Sequence, residues 1–421
     1  MRVKAVKGVQ DLLPPETDIW RFLEDHARAT FELFGFREVR TPLIERTEVF
    51  SWGIGETTDI VEKEMYTFPD KAGRSITLRP EGTASVVRAY VEHHLDQKNP
   101  VTKLYYTGPM FRYERPQAGR YRQFHQIGVE AFGSDDPRID AEIIQMLGNF
   151  LESVGLKDVE IQINSIGCAD CRPEYREAVH DFLAPKIEGF CADCRRRLET
   201  NPLRILDCKV PSCIEKRRGV PSILQHLDDD CREHFDRLLD FLKALNVSHT
   251  VNPNLVRGLD YYTRTTFEAV ARGLGAQNAV AAGGRYDDLV KTFGGPPTPA
   301  IGFAMGIERL ALLCGDAVPR TPGPQAAVVA LGAAAEKEGL LLASAFRSSG
   351  ARAELTYGGS LKSQMRRADK TGARFVVIIG DDELARGAGQ VKDLDSGEQT
   401  DVPFAEIPAF VRAALNTPAP S

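Results

Sequence analysis

GPMFRYERPQAGRYRQFHQIGVEAFG, residues 108 to 133, sets Arg112, Arg115, Arg120 and Arg122 between two segments of strand-like composition. A strand, a turn-rich loop and a returning strand hold guanidinium forks over one sheet face. That arrangement suits phosphate oxygens, because a planar fork donates two parallel hydrogen bonds. The strand period of two groups Arg112 with Glu114 on the outgoing segment, and Arg122, Phe124, Gln126, Gly128 and Glu130 on the returning one. Cation, ring, amide and carboxylate then line a common surface. A base ring is expected to stack on Phe124, a polyphosphate to meet the arginines, and an ammonium group to meet Glu130.

Other strings extend the pattern outward: FREVRTPLIERTEVF at 36 to 50, TLRPEGT at 77 to 83, LVRGLDYYTRTTFE at 255 to 268, AGGRYDDLV at 282 to 290 and AIGFAMGIERLALL at 300 to 313. Residues 108 to 133 resemble motif 2 of the class II aminoacyl-tRNA synthetases, in the form carried by the histidyl-tRNA synthetase family. The string at 36 to 50 is similar to motif 1, with Pro42 where that family turns its dimer-interface strand. Residues 300 to 313 resemble motif 3, and the remaining three resemble the histidine-specific segments.

Length and composition bound the problem independently. A chain of 421 residues exceeds one ordinary core and predicts two or three domains. With 43% hydrophobic and 27% charged residues it reads as a soluble globular enzyme. MRVKAVKGVQDLLPPE at the N-terminus lacks an apolar signal core, and no run of ~18 apolar residues spans a bilayer, so a cytoplasmic location without membrane attachment is expected. A formal net charge of −6 argues against nonspecific adhesion to nucleic acid and leaves RNA contacts to local basic patches.

Ile19, Phe22, Leu23, Ala27, Phe31 and Phe34 recur at helical spacing, with Gly35 as a stop. From Arg37 to about Gly133, β-branched and aromatic runs alternate with turns and predict a mostly antiparallel sheet. A second helix is expected from about Asp140 to Val154. A charged, cysteine-bearing insertion then spans about 168–227, and strand-like sequence resumes at Ser248. GDAVPRTPGPQ, residues 315 to 325, reads as a linker. Beyond it AAVVAL, ARAELTY, ARFVVIIG and QVKDL alternate with helical segments at 334–348 and 361–371, giving a small α/β domain over 326–421 with a frayed tail after Ala414. The expected architecture is an α+β catalytic domain over 1–325, of the class II synthetase type with a helical insertion, followed by that α/β domain. The resemblance assigns the latter to anticodon binding.

The resemblance also implies a chemistry: L-histidine and ATP give histidyl-adenylate and pyrophosphate, and the histidyl group passes to the 3' end of tRNA(His). Such a reaction needs charge stabilisation at the α-phosphate and alignment of nucleophile with leaving group. By the motif pattern, Arg112 meets the α-phosphate and the attacking carboxylate, Arg257 approaches from the opposite side, and Arg309, early in the motif 3 helix, faces the γ-phosphate. Glu114 and Phe124 complete the ATP site, with Mg2+ accompanying the nucleotide. Glu81, Gly82, Thr83, Gln126 and Glu130 match positions around the substrate amino group and imidazole, with Arg112 and Arg257 at its carboxylate. Strand alternation puts Arg257 and Tyr261 on one face and Tyr262 on the other, so at least one tyrosine should reach the imidazole. Gly283 and Gly284 would let backbone approach the substrate, whereas Asp288 suits a rim. No metal is expected in catalysis beyond that on ATP, and a homodimer through the motif 1 region is implied.

Arg115 and Gln117, near the loop tip at Gly119, are expected to read the tRNA acceptor end. Lys362, Arg366, Arg367 and Lys370 form one basic helical face, although acidic and basic residues nearly balance across that domain. In the insertion, Cys168 with Cys171 and Cys191 with Cys194 have a zinc-ribbon layout, followed by Cys208 and Cys213; structural zinc and free thiols both remain open. Two other readings share the catalytic fold. One is a silent paralogue serving as the histidine-sensing regulatory subunit of ATP phosphoribosyltransferase, and the other is a synthetase-derived RNA-binding protein.

Overall fold

The computed structural model describes residues 3–55, 58–117, 119–257, 259, 261–272, 278–315, 318–319 and 321–415. The chain forms two compact units, Met1–Pro319 and Arg320–Ser421. Most of the tail after Ala414 lies outside the described residues, as does part of the linker segment.

The first unit begins with helix α1 (Glu16–Leu33), which turns Leu23, Ala27 and Phe31 inward and stops before Gly35 at φ +81°, a backbone conformation favouring glycine. Strands β1 (Arg37–Glu38) and β2 (Ile44–Arg46) bracket Pro42, and helix α2 (Thr47–Ile54) leads to the hairpin β3 (Tyr66–Pro69) and β4 (Ser75–Leu78). Helix α3 (Thr83–Glu92) precedes the long strands β5 (Thr102–Phe111) and β6 (Gln123–Phe132). The stretch from Arg37 to Gly133 is therefore not sheet alone. Its β-branched residues Val86 and Val87 belong to α3, where burial outweighs their strand propensity.

Helix α4 (Pro137–Ser153) is started by Asp136, whose carboxylate accepts the Arg138 amide at 2.9 Å with Pro137 in the first turn. After β7 (Val159–Ser165), the insertion contributes α5 (Arg172–Leu183), α6 (Ala192–Thr200) and α7 (Pro211–Lys216). These pack around a core of their own that includes Tyr175, Leu183, Phe190 and Leu198. Helix α8 (Asp229–Ala244) returns to the main core, followed by β8 (Thr250–Val251), β9 (Thr263–Ala271), β10 (Ala279–Arg285), α9 (Leu289–Thr292), β11 (Ala300–Gly306) and α10 (Ile307–Cys314).

Among the described residues these strands form an eight-stranded sheet in the order β1-β5-β6-β11-β10-β9-β7-β8. Pairing is antiparallel except between β1 and β5 and between β7 and β8. The pleat separates its two faces. Ile127, Val129 and Ala131 of β6, Phe267 and Ala269 of β9, and Ile301 and Met305 of β11 join residues of α1, α4, α8 and α10 in the largest core. The intervening positions face the other way, toward α3 and a cavity.

The second unit is a five-stranded sheet with helices. Strand β12 (Ala326–Ala330) pairs in parallel with β13 (Ala353–Leu355) and β14 (Phe375–Ile379), and β15 (Ala388–Asp393) and β16 (Gln399–Pro403) extend it antiparallel. Its helices are α11 (Ala333–Ser348), α12 (Leu361–Lys370), α13 (Asp381–Arg386) and α14 (Ile407–Leu415). Gln364 and Ala368 anchor α12, leaving Lys362, Arg366, Arg367 and Lys370 exposed. Among the described residues no helix is long and apolar enough to cross a membrane.

Candidate active site

A cavity of about 300 Å³ opens on the sheet face opposite the main core. Residues far apart in sequence line it: Glu81 and Thr83 ahead of and within α3, Arg112 and Glu114 beyond β5, Phe124, Gln126 and Glu130 on β6, Arg257, Tyr261 and Tyr262 before β9, and Arg309 on α10. Arg120, Glu268, Tyr286 and Glu308 complete its polar lining.

One end is built from buried acids and phenols. Glu81 accepts the backbone amides of Thr83 at 2.8 Å and Ala84 at 2.9 Å, so its carboxylate satisfies orphan donors at the start of α3. Glu130 is 0% exposed; its Oε1 accepts the Thr83 hydroxyl at 2.6 Å and its Oε2 accepts the Tyr286 hydroxyl. Burial pushes the Glu130 carboxyl up to about 8, against the lowering effect of the Thr83 and Tyr286 hydrogen bonds, and Glu81 adds to the rise as a like charge. Glu81 is raised too, chiefly by burial. A cationic ligand would offset that penalty. Burial keeps Tyr261, Tyr262 and Tyr286 protonated and able to donate. The buried Gln126 Oε1 has no hydrogen-bond partner and is available to a ligand donor.

The other end is cationic. Arg112 is held by its Nε on the Pro80 carbonyl at 2.8 Å and lies 5.2 Å from the Phe124 ring centre. Glu114 sits between Arg120 at 3.2 Å and Arg112 at 3.9 Å. Arg309 donates to the Ala279 carbonyl at 2.7 Å, and burial first, then the Arg120 charge, lowers its affinity for its own proton. Arg257 is ion-paired with Glu268 and lies 5.4 Å from the Tyr262 ring centre. Cations drawn together against their repulsion mark a place for a polyanion.

Several expectations change. Arg112 and Glu114 lie past the end of β5, where the Arg112 amide still donates to the Arg122 carbonyl at 2.9 Å, and both line the cavity. Arg122 precedes β6 and stacks 3.9 Å from the Tyr113 ring centre, away from the cavity. Alternation also fails at Arg257, Tyr261 and Tyr262, because β9 starts at Thr263; both tyrosines line the cavity with their rings 4.6 Å apart. Gly82 does not line it. A Cβ there would stand 2.2 Å from the Tyr106 ring, so this glycine makes room for that ring. At Gly283 a Cβ would meet the Gly302 carbonyl at 2.3 Å, and at Gly284 the Thr265 carbonyl at 2.5 Å, so neighbouring strands occupy the space expected for substrate. Asp288 is exposed, and Arg115 and Gln117 are exposed outside the cavity.

Sequence reasoning passed over Tyr286, Glu268 and Gly302. The first stands in AGGRYDDLV beside the glycines that drew attention. The last carries a signal only in three dimensions, since a Cβ there would lie 1.9 Å from Glu130 Oε2.

The family model described as histidyl-tRNA synthetase matches residues 8–310, and that described as anticodon binding domain matches residues 325–414. A histidine–tRNA ligase of Syntrophotalea carbinolica is 52% identical over 400 residues, covering 95% of this chain and 96% of that protein. One of Thermodesulfovibrio yellowstonii is 50% identical over 419 residues, covering 99% and 100%. Among solved structures, apo histidyl-tRNA synthetase of S. aureus superposes with a TM-score of 0.81 at 36% identity, covering 98% of this chain and 100% of that one. A Bacillus halodurans chain described as an ATP phosphoribosyltransferase regulatory subunit/histidyl-tRNA synthetase shares the fold with a TM-score of 0.67 at 20% identity, covering 90% and 99%.

Proposed function

The chain belongs to the histidyl-tRNA synthetase family and its activity is the ATP-dependent ligation of histidine to tRNA, and on that premise we propose how the cavity divides the work. The observation that carries the proposal is the convergence of Arg112, Arg120, Arg257 and Arg309 with the buried Glu81 and Glu130 on one cavity. Glu130 and Glu81 receive the substrate ammonium. Gln126 and the Tyr261 and Tyr262 hydroxyls receive the imidazole, a hydrogen-bonding pocket that strands polar groups when another side chain enters.

Arg112 and Arg257 flank the α-phosphate and neutralise the charge that builds as the histidine carboxylate attacks. Arg309 and Arg120 hold the terminal phosphates of the leaving pyrophosphate. The adenine ring stacks on Phe124. Half-buried Glu114, whose Oε2 is ion-paired with Arg120 at 3.2 Å, is the carboxylate that would hold Mg2+, which would supply further charge neutralisation on the pyrophosphate. Exposed Arg115 and Gln117 read the acceptor end, and the unit from residue 326 binds the anticodon of tRNA(His).

A homodimer through the motif 1 region is also proposed, supported by the outward-facing Leu43, Ile44 and Trp52, the last 60% exposed. None of the eight cysteines is disulfide-bonded, which suits a reducing cytoplasm. The regulatory-subunit reading is not favoured, since proteins similar over nearly the whole chain are histidine–tRNA ligases. Histidine-dependent exchange of pyrophosphate into ATP tests the assignment: Arg309→Ala should lower exchange with a raised KM for ATP and little change in KM for histidine. A normal KM for ATP in that variant would remove Arg309 from the phosphate site.

A further inference from the structure

The cysteines of the insertion regroup in three dimensions. The two CxxC pairs do not join in one zinc ribbon. Cys191 and Cys194 meet Cys208 and Cys213, whereas Cys168 and Cys171 meet Cys231 and Asp228; within each group the ligand atoms all lie within 4.8 Å of one another. All eight cysteines are free thiols, so these are not disulfides. We propose that each group binds one structural Zn2+, the first through four thiolates and the second through three thiolates and the Asp228 carboxylate.

Distances support the assignment. With Zn–S near 2.3 Å, tetrahedral geometry places sulfurs about 3.8 Å apart. Cys168 and Cys171 are separated by 3.6 Å, and Cys191 and Cys208 by 3.9 Å. Asp228 Oδ2 stands 3.1 Å from the Cys168 sulfur and 3.0 Å from that of Cys171, so it must withdraw by a few tenths of an ångström to admit the ion. Its other oxygen is already fixed, accepting the Cys231 amide at 2.7 Å as the N-cap of α8.

The surroundings suit thiolates. Backbone amides of Asp170, Asp228 and Cys191 donate to the sulfurs of Cys168, Cys171 and Cys213, each at 3.3 Å, and such bonds stabilise negative sulfur. Gly167, at φ +66°, lets the first knuckle close, since a Cβ there would lie 2.6 Å from that of Cys171. Arg217 grips the Ile205 and Cys208 carbonyls at 2.9 Å and 3.3 Å, bringing a positive charge beside the four-cysteine group.

Topology gives the ions their role. The four-cysteine group ties the start of α6 to α7 within the insertion. The second group joins the residues leaving β7 to the start of α8, pinning the entry of the insertion to its exit. With four protein ligands each, neither site keeps an open position, so both are structural. Soft thiolate donors select zinc over magnesium or calcium. Binding releases thiol protons to the buffer, four at the first site and three at the second.

The test is metal analysis of the full chain, purified under reducing conditions without added zinc or an immobilised-metal column. Two zinc ions per chain are expected, one lost in Cys208→Ser/Cys213→Ser and the other in Cys231→Ser. A single ion overturns the assignment of whichever group can be substituted without losing it, and less than about half an equivalent, or iron with sulfide, overturns both. Should the variants fail to fold, X-ray absorption at the zinc edge of the unsubstituted protein decides. Seven sulfurs and one oxygen shared over two ions are expected, and a shell dominated by nitrogen or oxygen rejects the proposal.

Discussion

Thr83 donates its hydroxyl to Glu130 at 2.6 Å, joining the first turn of α3 to the C-terminal part of β6. Burial of Glu130 at this acidic end of the cavity raises its carboxyl to about 8, although the Thr83 hydrogen bond by itself acts in the opposite direction. The raised value carries a sign for stability. The folded chain holds this proton between about 4.5 and about 8, where the unfolded chain has lost it, so the group's contribution to stability falls as pH rises through that window and levels off above it. Glu130→Gln removes the slope. Its Tm should match the unsubstituted protein near pH 5 and exceed it near pH 8, by an amount corresponding to ~1–3 kcal/mol. Parallel melting curves at both pH values would refute the buried carboxyl.

The same carboxyl should make histidine binding proton-linked. An ammonium beside Glu130 favours the ionised form, so binding near pH 7 should release up to one proton, and affinity should increase with pH up to about 8. Calorimetry in buffers of different ionisation enthalpy reads this directly. Heats that do not depend on the buffer would place the ammonium elsewhere. Glu130→Gln should abolish the linkage and weaken histidine binding by ~10- to 100-fold, the cost of a lost charge-assisted hydrogen bond.

Arg257 is paired with Glu268 beside Tyr262, and its role in the transition state is the proposed one. Arg257→Ala should lower pyrophosphate exchange at least ~100-fold, while histidine affinity changes much less. Near-normal exchange would show that the guanidinium belongs to the scaffold alone.

Arg285 and Asp140 form an ion pair at 2.7 Å with both side chains 0% exposed. Arg285→Met strands the aspartate and should cost ~3–5 kcal/mol. The double variant Arg285→Met/Asp140→Leu should recover part of that loss. Denaturant melts measure both, and a double variant less stable than the single one would contradict the reading.

Trp52 is 60% exposed beside the motif 1 region. On the proposed dimer, Trp52→Glu should lower the mass to that of one chain in light scattering coupled to size exclusion, with pyrophosphate exchange falling in parallel. An unchanged mass would locate any interface elsewhere.

Legibility in the sequence followed the range of the interactions. The strand period put Phe124, Gln126 and Glu130 on one face of β6, and helical spacing identified α1, because alternation and the helical turn are local geometry. The same period misled outside the strands: Arg122 precedes β6 and Tyr261 and Tyr262 precede β9, where side-chain direction depends on which partners are in reach. The expectation of mostly sheet from Arg37 to Gly133 missed helix α3 for a related reason, since burial against the sheet overrides the strand propensity of its valines.

What the chain determined by itself was the order of its elements, the faces its apolar residues seek, and the motifs that resemble one family. Only the fold decided that Tyr286 bonds Glu130, that Arg285 meets Asp140, and that Cys231 joins a cysteine pair at the other end of the insertion. Each of these pairs is separated by many residues. Their proximity is set by which strands bury their apolar faces together, a free energy spread over the whole core and written in no local pattern.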